Sequence, residues 1–77
     1  MAQLNNDMYY YDIIRKNIKK FRKEKGYTQQ RLAEEAEMSN DYLAEIESEK
    51  RKKTFSIAIL GRIADTLEID IKDFFKK

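Results

Sequence analysis

Several residue types that characterise other classes of protein are absent from this sequence. It contains no cysteine, histidine or proline and only two glycines among 77 residues. Without cysteine and histidine, disulfides, thiolate chemistry, imidazole base catalysis and the usual zinc sites are all excluded. The lack of proline and the scarcity of glycine disfavour a turn-rich β protein. The fold must therefore be stabilised by side-chain packing.

Long apolar runs are also missing. No segment approaches the roughly 20 residues that a membrane-spanning helix requires, and the N-terminus has no hydrophobic secretory segment. We therefore expect a cytoplasmic protein. The sequence also shows no acid–base, nucleophile or metal-binding constellation, so we expect neither enzymatic activity nor a cofactor nor a bound metal.

Charge is abundant, and it is arranged in blocks. Charged residues make up 39% of the chain and hydrophobic residues 42%, a balance typical of short amphipathic helices around one small core. Residues 12–31 carry eight Lys or Arg and two acids, residues 32–49 carry seven acids and no base, and the basic run Lys50–Lys53 follows. The net charge of +2 is too small to indicate a nucleic-acid partner by itself. The architecture has to explain the order of the blocks.

The spacing of apolar residues predicts a first helix over residues 12–25. Ile14, Ile18 and Phe21 recur at intervals of four and three, which places them on one face. Gly26 follows, and glycine ends helices readily because it adopts the left-handed conformation without steric cost. Residues 1–11 are predicted to form a flexible arm; the alternative is that Tyr9, Tyr10 and Tyr11 add to a dimer interface.

Four further helix starts share one pattern, in which an apolar residue precedes a capping Thr, Ser or Asp and another apolar residue lies four positions after the cap. The apolar pairs are Tyr27 and Leu32, Met38 and Leu43, Phe55 and Leu60, and Ile69 and Phe74. The sequence therefore predicts an all-α domain of five helices over residues 12–77, with a longer basic loop after the third. The second helix is predicted over 29–36. The fourth is predicted to bury Ile57, Leu60, Ile63, Ala64 and Leu67.

Helices two and three carry the strongest functional signal. Only Glu37, Met38 and Ser39 separate them, and so short a turn forces a steep crossing. Ala33 supplies the small side chain that the crossing requires, and the pair is expected to bury Leu32, Ala36, Met38, Leu43 and Ile46. The opposite face of helix three is left uncovered and carries Asp41, Tyr42, Glu45 and Ser48.

These residues resemble the helix-turn-helix of the Cro and phage-repressor type, a family that includes restriction-modification controller proteins and regulators on mobile elements. The resemblance covers about residues 12–75 and implies a lambda-repressor-like fold. It depends on Thr28-Gln29, Leu32-Ala33, the Met38-Ser39 turn, Leu43, Ile46-Glu47, Lys50-Arg51, Ile63-Ala64 and Leu67.

The resemblance also implies a partly buried pair between Arg22 and Glu47; the alternative is two unrelated surface charges. Two residues depart from the family pattern. Glu37 stands where the family usually has a glycine, so a left-handed backbone there would cost roughly 1 kcal/mol. Glu49 likewise replaces a frequent glycine, and the loop over 48–55 is about two residues longer than the family leads us to expect.

By resemblance, helix three enters the major groove of double-stranded DNA and the start of helix two lies across the phosphate backbone. The residues assigned to base contacts are Asn40, Asp41, Tyr42 and Glu45, whose side chains suit adenine, cytosine and the thymine methyl group. Those assigned to backbone contacts are Thr28, Gln29, Ser39, Lys50, Arg51, Lys52 and Lys53.

Each assignment has a plain structural alternative. Asn40 can serve only to cap helix three, and Tyr42 can be partly core. Asp41 and Glu45 are repelled by phosphates unless a base donor or a bridging Lys or Arg compensates them. The run Lys50–Lys53 can be a solvated loop.

The C-terminus carries Ile69, Ile71, Phe74 and Phe75, more apolar surface than one helix face buries easily. These residues either close the monomer core or form a two-fold dimer interface, and we favour the dimer. A dimer would place two recognition helices roughly 34 Å apart on a pseudo-palindromic operator. The predicted function is a DNA-binding transcriptional regulator, a repressor or controller protein. The alternative is a protein-interaction or antitoxin-like module that uses the acidic face of helix three.

Overall fold

The computed structural model describes residue 4 and residues 6–77, and within them every regular element is helical. Helix α1 spans Tyr9–Glu24, α2 spans Gln29–Glu35, α3 spans Asn40–Glu47 and α4 spans Ile57–Leu67. A short 3₁₀ helix, Ile71–Phe75, follows. The all-α class is confirmed, whereas the count of five α-helices is wrong because the last element is a 3₁₀ helix.

The last element is a 3₁₀ helix because its hydrogen bonds are short-range. The side chain of Asp70 accepts from the backbone N–H of Lys72, two residues on, and the N–H of Asp73 donates to the carbonyl of Asp70 at 2.9 Å. That i to i+3 bond is the 3₁₀ pattern. Asn17 of α1 donates to the carbonyl oxygens of Phe74 and Lys76, both at 2.7 Å, which attaches the element to α1.

Helix α1 begins at Tyr9, three residues before the predicted start. The backbone N–H of Asp12 donates to the carbonyl of Met8 at 2.8 Å, so the three tyrosines belong to the first turns. The ring of Tyr11 packs edge-on against that of Phe55 with centroids 5.0 Å apart. The predicted arm over 1–11 is therefore too long at its C-terminal end; residues 1–3 and 5 lie outside the described residues.

The predicted capping residues start three of the helices. The side chain of Thr28 accepts from the N–H of Arg31 at 3.0 Å, and Ser39 accepts from Tyr42 at 3.1 Å. Ser56 accepts from the N–H of Ile59 at 3.1 Å in the same way. Each bond satisfies one of the donors that a helix start leaves free.

The core lies where α1, the α2–α3 pair, α4 and the 3₁₀ helix meet. Its buried apolar residues are Ile14, Ile18, Leu32, Ala33, Leu43, Ile46, Leu60, Ile63, Ala64, Leu67 and Phe74. Ile57 does not join them: its side chain is 69% exposed, so the prediction that it is buried is wrong. It stands in the first turn of α4 beside an open apolar groove.

In the described part of the chain, no helix combines the length and apolar character needed to cross a membrane.

Candidate nucleic-acid interface

The α2–α3 pair is held by apolar packing and by a turn that depends on Arg62. Ala33 and Ala36 are buried, and the N–H of Met38 donates to the carbonyl of Ala33 at 2.9 Å. Glu37, which stands where the family usually has a glycine, adopts φ 59°. This is the left-handed conformation that is strained for a residue with a side chain. Arg62 of α4 donates to the Glu37 carbonyl at 3.0 Å. This contact satisfies a carbonyl that the end of α2 would otherwise leave free.

Arg22 and Glu47 are brought together in the protein interior. Arg22 Nε donates to Glu47 Oε2 at 2.8 Å and Nη2 donates to Oε1 at 2.9 Å, with both residues less than a tenth exposed. Arg22 Nη1 also donates to the carbonyl of Tyr27 at 2.9 Å. This bidentate contact joins the end of α3 to α1 and to the loop before α2, and so fixes the orientation of α3 relative to both.

Gln29, assigned to a phosphate contact, is directed toward the same carboxylate. Its Nε2 donates to Glu47 Oε1 at 3.1 Å. Thr28 and Ser39, assigned to the DNA backbone as well, use their side chains to cap α2 and α3. Gln29 therefore connects the N-terminus of α2 with the C-terminus of α3.

The outer face of α3 is uncovered in the monomer. Asn40 and Asp41 are exposed, and Tyr42, Glu45 and Ser48 are partly buried. These positions belong to the two turns of α3 and its C-cap. A shallow groove along this face is lined by Asp41, Ala44, Glu45, Ser48 and Arg51. Four of the five are residues of helix α3 or its cap, and the fifth is contributed by the basic loop.

The charge of Glu45 is compensated by two cations of that loop. Its Oε2 accepts from Arg51 Nη2 at 2.8 Å, and its Oε1 lies 3.4 Å from Lys53 Nζ. The hydrogen bond from Arg51 and the charge of Lys53 hold the pKa of Glu45 below its ordinary value. The repulsion between Glu45 and DNA phosphates, a concern at the sequence level, is thereby reduced.

The basic loop, residues 48–55, is folded back onto the domain. Ser48 Oγ accepts from the backbone N–H groups of Lys50 and Arg51, both at 3.3 Å. Lys52 has φ 51° and its Nζ donates to Asp12 Oδ2 at 3.0 Å, which lowers the pKa of that carboxyl. Lys53 Nζ lies 5.8 Å from the ring centroid of Tyr42, within cation–π range.

Arg15 is the residue that sequence reasoning missed. Its side chain is fully buried, and Nη1 donates to the carbonyl of Ile46 at 2.8 Å while Nη2 donates to that of Lys53 at 2.9 Å. Nε donates to Asp12 Oδ1 at 3.0 Å. The sequence signal was weak: Arg15 directly follows the core residue Ile14, but it lies in a block of basic residues that otherwise indicates a solvated face.

The C-terminal residues assigned to a dimer interface differ in how far they are buried in the monomer. Phe74 is fully buried against the core, where its ring centroid lies 6.0 Å from that of Phe21, so it is not available to a partner. Ile69 and Ile71 are partly buried against the same core. Phe75 is 41% exposed and lines the apolar groove beside Ile57.

Comparison with known proteins assigns the family. A model of the helix-turn-helix family HTH_3 matches residues 18–74. The chain belongs to this helix-turn-helix family. The matched range begins inside α1 and ends within the 3₁₀ helix, so it contains the complete α2–α3 pair. The resemblance identified from the sequence is confirmed, and it places the chain among DNA-binding proteins of transcription regulation.

Solved structures show the same fold. A hypothetical transcription factor, NHTF, from Neisseria superposes with a TM-score of 0.80 at 18% identity, covering 99% of this chain and 85% of that one. An HTH_3 family transcriptional regulator from Vibrio cholerae superposes with a TM-score of 0.81 at 28% identity, covering 91% of this chain and 38% of that one. This chain thus corresponds to less than half of the Vibrio protein. No curated protein matches it.

Proposed function

We propose that this helix-turn-helix protein is a sequence-specific transcriptional regulator of the repressor or controller type, which binds a pseudo-palindromic operator as a dimer. The observation that supports it most is the continuity of one polar surface. Gln29 contacts Glu47 at the end of α3, and Arg51 contacts Glu45 in the middle of α3. The start of α2, the outer face of α3 and the basic loop therefore adjoin, which is what docking to a groove and its flanking phosphates requires.

The roles follow from position. Asn40, Asp41 and Tyr42 lie at the start of α3, the end that contacts base edges when a recognition helix enters the major groove. The N-terminus of α2 presents free backbone N–H groups, which favour a phosphate. Lys50–Lys53 adds further phosphate contacts, each of which makes binding weaker as salt rises. Lys52 exchanges its intramolecular carboxylate, that of Asp12, for a phosphate in this process.

The competing function, a protein-interaction module docking through an acidic α3 face, has less support. That function needs carboxylates available to a basic partner. Glu45 already faces Arg51 and Lys53, so the centre of this face is not a net acidic patch. Asp41, the other acid predicted on the outer face, is exposed and forms no ion pair with the described residues, so it is the carboxylate of this face that stays available to a basic partner.

We propose that the dimer forms through the apolar groove near the N-termini of α1 and α4. Its lining includes Tyr10, Tyr11, Phe55, Ile57 and Phe75, and no charged residue. Tyr10 is 53% exposed and Ile57 69%, so apolar side chains project beside the cavity. A protrusion and a cavity of the same chemistry on one surface are self-complementary, which is what a two-fold contact between identical chains needs. The occupant is therefore a second copy of this chain.

Selection of bound duplexes from genomic fragments at low salt tests DNA binding. We expect enrichment of fragments that share an inverted repeat with half-sites about one helical turn apart. Recovery of fragments with no shared sequence would refute the function as proposed.

Sedimentation tests the dimer surface. Ile57→Asp is expected to leave a folded monomer. In the monomer the position is exposed and tolerates a charge, whereas in the proposed dimer the charge would be buried at the interface and would oppose association. Leu4→Asp, at a position 92% exposed, is the matched control and is expected to leave the dimer intact. Equal dimerisation by both variants would place the interface elsewhere.

A further inference from the structure

Arg51 lies where the outer face of α3 meets the basic loop, a position that suits a base better than a phosphate. Its Nη2 donates to Glu45 Oε2 at 2.8 Å, and its side chain lines the groove along α3 with Asp41, Ala44 and Ser48. We propose that Arg51 recognises a guanine in the major groove and that Glu45 positions the Arg51 guanidinium instead of contacting a base itself. The proposal rests on the DNA-binding function given above.

The backbone that carries Arg51 is fixed on both sides. Before it, Ser48 Oγ accepts from the N–H groups of Lys50 and Arg51, both at 3.3 Å. After it, the carbonyl of Lys53 accepts from the fully buried Arg15 at 2.9 Å. A side chain presented from a held backbone loses less conformational entropy when it binds, and this favours recognition of one base.

Glu45 is arranged as a positioning residue. One of its oxygens accepts from Arg51 and the other faces Lys53 at 3.4 Å. To accept from a cytosine amino group, the carboxylate would have to share or release one of these cations. Its pKa, lowered by the hydrogen bond from Arg51, keeps it ionised and able to hold the guanidinium at neutral pH.

Arg51 retains donors for a base. A guanidinium has five N–H groups in a fixed plane, and within the part of the chain that the structure describes Nη2 is the atom that forms its side-chain hydrogen bond. The remaining N–H groups can donate to O6 and N7 of guanine, the commonest specific contact of arginine in the major groove. Lysine lacks this planar arrangement, so Arg51 differs from its neighbours in the loop.

Lys50 provides a matched control in the same loop. It is exposed and borders a different groove, lined also by Lys16, Lys19 and Glu49. Of the residues on the outer α3 face, that groove includes Ser48 but not Asp41, Tyr42 or Glu45. Lys50 therefore suits a phosphate contact, and its removal should affect all DNA sequences alike.

The experiment is selection of duplexes from a random pool by the full chain and four variants, Arg51→Ala, Arg51→Lys, Glu45→Gln and Lys50→Ala. We expect the unchanged protein to select a G·C pair at one position of each half-site. Arg51→Ala should lose that preference and bind the originally selected duplex about 5- to 150-fold more weakly. Arg51→Lys should lose the preference while keeping more of the affinity for unrelated DNA, because charge remains and the planar fork does not.

Glu45→Gln should weaken the preference for G·C at the same base-pair position that Arg51→Ala affects. Lys50→Ala should weaken binding to every duplex equally. A duplex carrying 7-deazaguanine at that position, which lacks the N7 acceptor, should bind the unchanged protein more weakly and the Arg51→Ala variant no differently. A uniform loss for Arg51→Ala with unchanged base preference would overturn the proposal. A change for Glu45→Gln at another position would show that Glu45 contacts its own base. Absence of any preference in the unchanged protein would refute the proposed function itself.

Discussion

The guanidinium of Arg15 in α1 donates a 2.8 Å hydrogen bond to the carbonyl oxygen of Ile46, close to the end of α3. A second nitrogen of the same group donates to the carbonyl of Lys53 in the basic loop. The fully buried side chain thus connects three segments, two of which belong to the candidate DNA surface. Removal of Arg15 leaves both carbonyls without their side-chain donor.

Arg15→Met keeps most of the side-chain volume and removes these hydrogen bonds. We expect it to lower the free energy of unfolding by about 2–4 kcal/mol, because acceptors buried without partners are costly. Urea unfolding followed by circular dichroism measures it. Lys16→Met at the next position, where the side chain is 67% exposed, should change stability by less than about 0.5 kcal/mol. Equal stability of the two variants would contradict the role given to Arg15.

The buried pair of Arg22 and Glu47 makes a different prediction. Glu47→Leu alone leaves a buried guanidinium without its carboxylate and should cost about 3–5 kcal/mol. The double variant Arg22→Met, Glu47→Leu removes both charges and should recover most of that loss, since an apolar pair avoids the desolvation cost. Urea unfolding of the single and double variants measures the coupling. Losses that simply add would show that the two side chains do not interact.

Tyr42 and Lys52 separate specificity from affinity. Tyr42 lies on the outer face of α3, whereas Lys52 is contributed by the loop and pairs with Asp12 of α1. Tyr42→Ala is expected to change which duplexes are selected. Lys52→Ala should weaken all of them alike and reduce the slope of log affinity against log salt by about 1. Identical uniform losses for the two variants would contradict this division of roles.

Local chemistry made the helix starts predictable. Thr28, Ser39 and Ser56 each bind a backbone N–H three residues on, and both the residue types and the spacing are visible in the sequence. The start of α1 was predicted three residues late because Tyr9 is not preceded by a side chain that caps it. Packing of Tyr11 against Phe55, forty-four positions later, is a tertiary contact that no local pattern contains.

The sequence predicted the segments that form the candidate DNA surface but not the contacts between them. The outer face of α3 and the basic loop follow from helical spacing and composition. That Arg51 and Lys53 compensate Glu45 depends on how the loop folds back, which Arg15 and Ser48 determine through hydrogen bonds to the backbone. Such contacts depend on geometry across the fold, so a charge pattern alone leaves them open.

The ion pair of Asp12 with Lys52 predicts a pH dependence. The hydrogen bond from Lys52, and a smaller contribution from Arg15, hold the pKa of Asp12 below its ordinary value of 3.8. A pKa lowered by folding adds stability that is fully present above the unfolded value and is lost as the pH falls through the folded one. Asp12→Asn should therefore lower the Tm at pH 7, and the difference from the unchanged protein should shrink as the pH falls below 3.8.

Thermal unfolding followed by circular dichroism across this pH range measures the difference. Asp65→Asn is the matched control, since Asp65 is exposed and forms no ion pair among the described residues. Its effect on Tm at pH 7 should be small. A constant difference between Asp12→Asn and the unchanged protein at every pH would contradict the assigned pair.

Glu37 and Glu34 allow one substitution to be tested in two backbone conformations. Glu37 has φ 59° in the turn after α2, where a side chain beyond hydrogen is strained, whereas Glu34 lies inside α2. Glu37→Gly removes that strain and keeps the carbonyl that Arg62 binds, so we expect a gain of about 0.5–1 kcal/mol. Glu34→Gly should instead cost about 1 kcal/mol, because glycine is a poor helix former. Urea unfolding measures both. Destabilisation by both variants would mean that the strain at Glu37 is smaller than the entropy that glycine adds to the unfolded chain.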